Sequence, residues 1–217
     1  MDSLIHIILR YFLSLPFPDK CIGCREKGES FCKKCADGAK RVENKAGSVL
    51  FLDKLYYWGD YENPALRKAL RSYKYHGMKN LAEPFSQMLS ELLKPELPDF
   101  SDKALIVPIP AHKARISLRG YNQAELLAQK LSQKTNLPFN PEILVKIKNT
   151  PSQTSLSGLE RMLNIKNSFS VKTHEYIKNK KIILVDDIIT TGATLSEAAR
   201  VLKEAGALMV AGLVVAR

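Results

Sequence analysis

One segment, 182-IILVDDIITTGATL-195, constrains this chain more than any other. An apolar run from Ile182 to Val185 ends in two adjacent acids, Asp186 and Asp187; a Thr- and Gly-rich loop follows, and then a helical pattern begins. Such a run suits a strand buried on both faces of a parallel sheet. The carboxyl end of that strand is where open α/β sheets bind ligands. Beyond Ile188 and Ile189, the backbone N–H groups of Thr191, Gly192, Ala193 and Thr194 point toward a helix N-terminus, an arrangement able to wrap a phosphate. The hydroxyls of Thr190, Thr191 and Thr194 add donors, and Gly192 allows close approach of the backbone. Two carboxylates beside the cradle repel phosphate, so they fit the vicinal hydroxyls of a ribose, or a magnesium ion reached partly through water. Together the pieces suit a ribose 5-phosphate. No Gly-Lys-Ser/Thr follows the strand, which excludes a P-loop.

The chain around this segment alternates strand-like and helix-like stretches from about Ser48. Val49 to Trp58 reads as a strand, Asn63-Pro64 opens a helix through Lys74, and a further helix covers Leu81 to Leu93. Ala104 to Ile109 reads as a buried strand, 111-AHKARISLRG-120 as a basic loop, Tyr121 to Gln133 as a helix and Ile143 to Ile147 as a strand. The stretch 148-KNTPSQTSLSG-158 is polar and turn-rich. Strand, helix and strand over Lys181–Val185, Thr194–Glu204 and Ala207–Val215 predict a crossover in a doubly wound parallel sheet. The expected organisation is an appendage over 1–47 and one α/β domain over 48–217.

The appendage holds every cysteine: Cys21-x-x-Cys24, then Cys32-x-x-Cys35. Paired Cys-x-x-Cys knuckles are the usual pattern of a tetrahedral, structural zinc site closed on four thiolates. The other reading is two disulfides in a secreted chain, which the absence of a signal peptide disfavours. Before the knuckles, Leu4, Ile5, Ile8, Leu9, Phe12 and Leu13 recur at helical spacing, predicting an amphipathic N-terminal helix. Arg10 interrupts the apolar run, Asp2 stands where a signal peptide is basic, and no spanning length is reached. The expectation is a cytoplasmic protein with no membrane span; a peripheral anchor is disfavoured because the polar face has few basic residues. With 33 Lys and Arg against 22 acids, the formal charge is +11. That balance calls for phosphate-rich partners, either nucleic acid or phosphorylated metabolites.

Hydrophobic run, Asp-Asp, two residues and Thr-Thr-Gly-x-Thr resemble the signature of type I phosphoribosyltransferases, whose donor is 5-phosphoribosyl-1-diphosphate (PRPP). With the four-cysteine knuckle, 107-VPIPAHKARISLRGYNQAELLA-128 and 149-NTPSQTSLSGLERMLNIKNSF-169, nearly the whole chain resembles the ComF family, competence-associated phosphoribosyltransferase-like proteins that include the GntX-type members. The resemblance implies a type I phosphoribosyltransferase-like fold with a small N-terminal zinc appendage and hood elements at about 48–102. It implies PRPP with magnesium as ligands, and single-stranded DNA with a competence helicase as partners. It places Asp186, Asp187 and Arg119 at the reacting centre and Asp186 to Thr194 around the ribose phosphate. A pyrophosphate loop falls at Pro108 to Lys113, with Pro110, Ala111, His112 and Lys113 against the diphosphate and Arg115 nearby. Arg119, Gly120, Tyr121, Asn122 and Gln123 match the family's Arg-Gly-aromatic-Asn-Gln motif. The plain alternative for Arg119 and Asn122 is a surface ion pair and a helix cap.

Lys148, Thr150, Gln153, Thr154 and Arg161 correspond to the loop that closes over the donor. Lys148 stands where the family commonly has Arg, and Lys lacks the bidentate grip on phosphate. The implied reaction is displacement of magnesium pyrophosphate at ribose C1, carried by positioning and charge stabilisation of the leaving group. In 68-KALRSYKYHGMKN-80, Lys68, Arg71, Lys74 and Lys79 interleave with aromatics, as in single-strand binders. An amphipathic helix with a solvated basic face explains them equally well. Two readings stand: a phosphoribosyltransferase with an unknown acceptor, or a DNA-binding competence factor whose PRPP site is a sensor or relic.

Overall fold

The computed structural model describes residues 20–41, 49–100, 103–148 and 164–217. The strands described are β1 (Lys54–Gly59), β2 (Ala104–Pro108), β3 (Leu144–Lys146), β4 (Phe169–Val171), β5 (Lys181–Ile188) and β6 (Met209–Ala216). The helices are α1 (Lys33–Ala39), α2 (Pro64–Tyr75), α3 (Ala82–Leu93), α4 (Leu97–Phe100), α5 (Lys113–Arg119), α6 (Gln123–Thr135), α7 (His174–Ile177) and α8 (Ala193–Glu204). Four strands form one parallel sheet in the order β1-β6-β5-β2. β3 and β4 form a separate antiparallel pair, joined by the stretch 149–163 outside the described residues.

Both faces of the sheet are apolar, as parallel packing requires. Alternation sorts them: Ile106, Ile183, Val185, Ala211 and Leu213 face α3 and α6, while Leu105, Val107, Ile182, Leu184 and Val210 face α8. The expected α/β class, with its parallel sheet and crossover through α8, is what the chain adopts. Segment 48–102, expected to supply hood elements, contributes β1 to the sheet edge and α3 to the layer over it.

Two local expectations need correction, and one strand goes unpredicted. Residues 111–120 are not a loop: His112 Nδ1 accepts the Ala114 N–H at one end, Gly120 takes a left-handed φ of 79° at the other, and α5 forms between these caps. The strand expected from Val49 starts only at Lys54, because Phe51 has φ +65° and the chain turns there. Asp53 then ties the entry to the sheet, its carboxylate accepting the Val210 N–H at 2.7 Å. Finally β4, too short to carry a pattern, escapes sequence reading altogether.

The cysteine-bearing segment packs onto the same core. Cys21, Phe31, Ala36 and Ala39 share one apolar cluster with Trp58, Leu66 and Phe85. The Trp58 indole N–H donates to the Ala36 carbonyl at 2.8 Å, fully buried. Phe31 meets Phe85 edge-on at 6.0 Å, Phe85 meets Tyr73 at 5.5 Å, and Tyr73 meets Tyr121 at 5.9 Å. Each such pair adds about 1 kcal/mol beyond its area burial. This aromatic chain joins the knuckle to the strand-end loops.

Candidate functional site

Register places the two strand-end loops side by side. Pro108 at the end of β2 pairs with Val185 of β5, and the Ile109 N–H continues the ladder to the Val185 carbonyl at 2.9 Å. The loop over Pro110, Ala111 and His112 therefore leaves the sheet beside Asp186 and Asp187. On the far side of the acids, Gly192 has φ +79° and caps α8. A Cβ on Gly192 would lie 2.9 Å from Val49 Cγ2, so both conformation and space require glycine there. Ala193 and the Gly192 backbone are buried, Thr194 is half-buried, and Thr190 and Thr191 are exposed at the loop's crest, where Thr191 Oγ1 accepts the Ala193 N–H. Ile188 and Ile189 anchor the loop, the Ile189 N–H donating to Ala216.

Strand alternation sends the acids to opposite faces. Asp187, 2% exposed, points to the α2 side, where the Lys74 ammonium sits 2.9 Å from its Oδ1. Its Oδ2 is buried with no hydrogen-bond partner among the described residues. Asp186 points the other way and its Oδ1 accepts the Asp187 N–H at 2.9 Å. Burial and the neighbouring Asp187 carboxylate push Asp186 up to about 7. Burial works to lower the Lys74 pKa, but the Asp187 and Asp186 carboxylates outweigh it and raise it. On the side of Asp186 lies Lys146 of β3, lowered to about 8 by burial and by Arg115, with Asp186 acting in the opposite direction.

Lys74 and Lys146 are the site residues that sequence reasoning missed. Of the basic residues expected to contact single-stranded DNA, Lys74 turns inward to Asp187, while Lys68, Arg71 and Lys79 are exposed. Its place three residues beyond the exposed Arg71 carried no signal of that direction. Lys146 sits two residues before Lys148 in a strand with no polar pattern to mark it.

Residues 120–123 of the motif make architectural contacts. Gly120 closes α5, and Asn122 caps α6, accepting the Ala124 N–H and donating to the Ile109 carbonyl at 3.1 Å. Tyr121 donates to the Tyr73 carbonyl, and Tyr73 donates back to the Gln123 carbonyl at 2.8 Å. The motif thereby straps α2 to the end of β2. The Arg119 side chain lies outside what is described, as do Thr150, Gln153, Thr154 and Arg161 and the amphipathic segment Leu4–Leu13. Lys148 is exposed and donates to the Lys166 carbonyl at 3.1 Å.

The four cysteines come together as their spacing predicts. All four are unbridged, and their Sγ atoms lie within 4.8 Å of one another. Cys21 and Cys35 are 3.7 Å apart, and Cys24 and Cys32 3.6 Å. A tetrahedral ion with metal–sulfur bonds of about 2.3 Å requires sulfurs about 3.8 Å apart, so the cluster fits zinc. Burial raises the Cys21 thiol, but backbone N–H groups of Cys32, Cys24 and Gly23 bring it down to about 6, toward the thiolate a metal needs. Gly28 adopts φ +132°; Gly23 has a different role, since a Cβ there would lie 2.7 Å from Cys35 Sγ.

Residues 119–217 match the phosphoribosyl transferase domain family. Competence protein F of Haemophilus influenzae is 31% identical over 201 residues, spanning 86% of this chain and 85% of that protein. The DNA utilization protein YhgH of Escherichia coli is 28% identical over 201 residues, 88% of this chain and 85% of that protein. Competence protein ComFC of Bacillus subtilis is 34% identical over 144 residues, 66% of this chain and 56% of that protein. Among the described residues no helix is long and apolar enough to cross a membrane.

Proposed function

The chain belongs to the ComF family of phosphoribosyltransferase-like proteins, and from that premise we propose that it binds PRPP at the carboxyl ends of β2 and β5 and serves the uptake or use of DNA. The observation that carries this reading is Asp187 Oδ2, a buried acceptor without a partner among the described residues, beside a glycine-dependent helix N-terminus. A ribose hydroxyl satisfies the first and a phosphate the second. Asp186 and Asp187 would take the ribose hydroxyls, and the N–H groups over Thr190 to Thr194 the 5-phosphate. Pro110, Ala111, His112 and Lys113, with Lys146 and Arg119, would face the diphosphate and its magnesium. PRPP supplies an activated ribose carbon whose diphosphate leaves; the protein's part is to hold the ring and keep the leaving charge compensated.

Zinc in the four-thiolate cluster would be structural, closed to water, and holds the knuckle against Trp58. The exposed face of Lys68, Arg71 and Lys79, with Tyr75, is our candidate contact for single-stranded DNA, with a competence helicase as the family-implied protein partner and the cytoplasm as the compartment.

The test is calorimetric titration of PRPP with magnesium into wild type and Asp187→Ala. Binding by wild type alone supports the site, and binding by both or by neither refutes it. A labelled oligonucleotide, titrated over a salt series, tests the DNA face. The combined Lys68→Ala, Arg71→Ala and Lys79→Ala variant should lose about 2 of the salt slope at about 0.7 per phosphate contact. An unchanged slope removes that face from the proposal.

A further inference from the structure

The Lys74–Asp187 pair is an unusual way to leave a donor site. The Lys74 side chain is 24% exposed and that of Asp187 3%. A buried pair of this kind contributes little net stability, because desolvation offsets the attraction. Lys74 reaches one oxygen of Asp187, Oδ1. The other, Oδ2, has no donor among the described residues, and Asp186 on the opposite face adds its field to that of Asp187 in raising the Lys74 pKa. One more cation, or one more hydrogen-bond donor, is wanted at the same carboxylate that the lysine already holds.

We propose that Lys74 is a built-in counterion of the acid pair, holding Asp187 in place in the donor-free protein and excluding a free divalent cation from it. With Lys74 in place the Asp187 charge is compensated, and a divalent ion landing there must approach the lysine's own charge. Without it Asp187 is an uncompensated buried carboxylate, reinforced by the field of Asp186, and attracts a hard cation. A magnesium ion needed by the donor would then have to come bound to the donor itself, and Lys74 is a positioning residue. Two features hold it where it can act: α2 begins at an Asn63 cap on the Ala65 and Leu66 N–H groups, and near its end Tyr73 donates to the Gln123 carbonyl while its own carbonyl accepts the Tyr121 O–H. The role of the donor in this inference rests on the function proposed above; the exclusion of the free cation does not.

The test uses Mn2+ alone as the probe, its free concentration read by electron paramagnetic resonance, on full-length wild type, Lys74→Met and Lys74→Arg loaded with zinc. Methionine keeps the buried stem and removes the charge; arginine keeps the charge. Lys74→Met is expected to bind Mn2+ at least about tenfold more tightly than wild type, and Lys74→Arg to stay within about threefold of it. Adding Asp187→Asn to Lys74→Met should return the affinity to the wild-type range. Equal Mn2+ affinity in wild type and Lys74→Met, with both folded by circular dichroism, overturns the proposal. So does tight binding that survives Asp187→Asn. A Mn2+ difference without any PRPP binding by wild type would keep Lys74 as counterion while removing the donor reading, so the two ideas fail separately.

Discussion

Gly59 is where the knuckle's attachment to the sheet is most exposed to a single atom. A Cβ on Gly59 would sit 2.1 Å from the Ala39 carbonyl oxygen and 3.1 Å from Leu66 Cδ2. An ordinary contact needs about 3.5 Å, so the end of α1 must retreat by about 1.4 Å. β1 cannot yield instead, since Gly59 is in register with Ala216 of β6 and its carbonyl accepts the Arg217 N–H. Retreat breaks the Arg41 N–H bond to the Trp58 carbonyl, 2.8 Å, and the Trp58 indole bond to Ala36, 2.8 Å. At about 1 kcal/mol per bond, plus about 1 kcal/mol of residual overpacking, Gly59→Ala should cost about 3 kcal/mol. For a chain of this length that is a Tm lowered by about 6–12 °C. Trp58 is the only tryptophan, so its emission should shift to longer wavelength before the global transition. The matched control is Gly38→Ala inside α1, where a Cβ meets nothing within 4 Å; it should be neutral or stabilising by about 0.5–1 kcal/mol. A Gly59→Ala protein with native Trp58 emission and a Tm within about 2 °C of wild type would falsify this account of the docking.

Three further outcomes follow from the same geometry. Gly23→Ala forces a methyl to within 2.7 Å of Cys35 Sγ, so zinc retention in a chelator competition should fall by about 10–100-fold, and unchanged retention would show that the knuckle adapts. Asp186 is raised in the folded chain, which therefore holds a proton that the unfolded chain releases above about 4; stability falls as pH rises toward 7. Asp186→Asn should accordingly be more stable than wild type at pH 8 in urea denaturation while losing PRPP binding, and a less stable variant contradicts the sign. Glu197 has the opposite sign: Arg200 holds its carboxyl below the usual range, so its contribution is present above about 4.5 and disappears as pH falls through its folded value. Arg200→Met should flatten the acid limb of the stability profile below pH 4.5, and an unaltered limb rules the pair out as its source.

How much of this was legible beforehand depends on the range over which each feature is determined. The cysteine cluster was readable because four ligands in one short window need only two tight turns to meet. The acid pair, the glycine-bearing loop and the helix after it were readable for the same reason: strand, turn and helix N-terminus are consecutive in the chain. Asn63-Pro64 announced α2 through a cap and a fixed φ, both local. The α/β class followed from runs long enough to be buried on two faces. The caps of α5, by contrast, were present in His112 and Gly120 but were outweighed by the segment's charge.

What depended on distant surfaces meeting could not be read. Periodicity places Lys74 on a helix but leaves open which neighbour that helix finds; only the packing of α2 over the carboxyl end of β5 turns that ammonium onto Asp187. Lys146 acquires its burial from the β3–β4 pairing, whose second strand is three residues long. Gly59 looks like any strand-end glycine until the end of α1 is laid against it. Local sequence marks most of the strands and helices and the four-thiol knuckle, 111–120 and β4 excepted, because such features are set within a few residues by backbone sterics and ligand spacing. Tertiary structure alone decided which cation neutralises which acid and how the knuckle is seated, because both are contacts between segments far apart in the chain, chosen by the packing of the whole core.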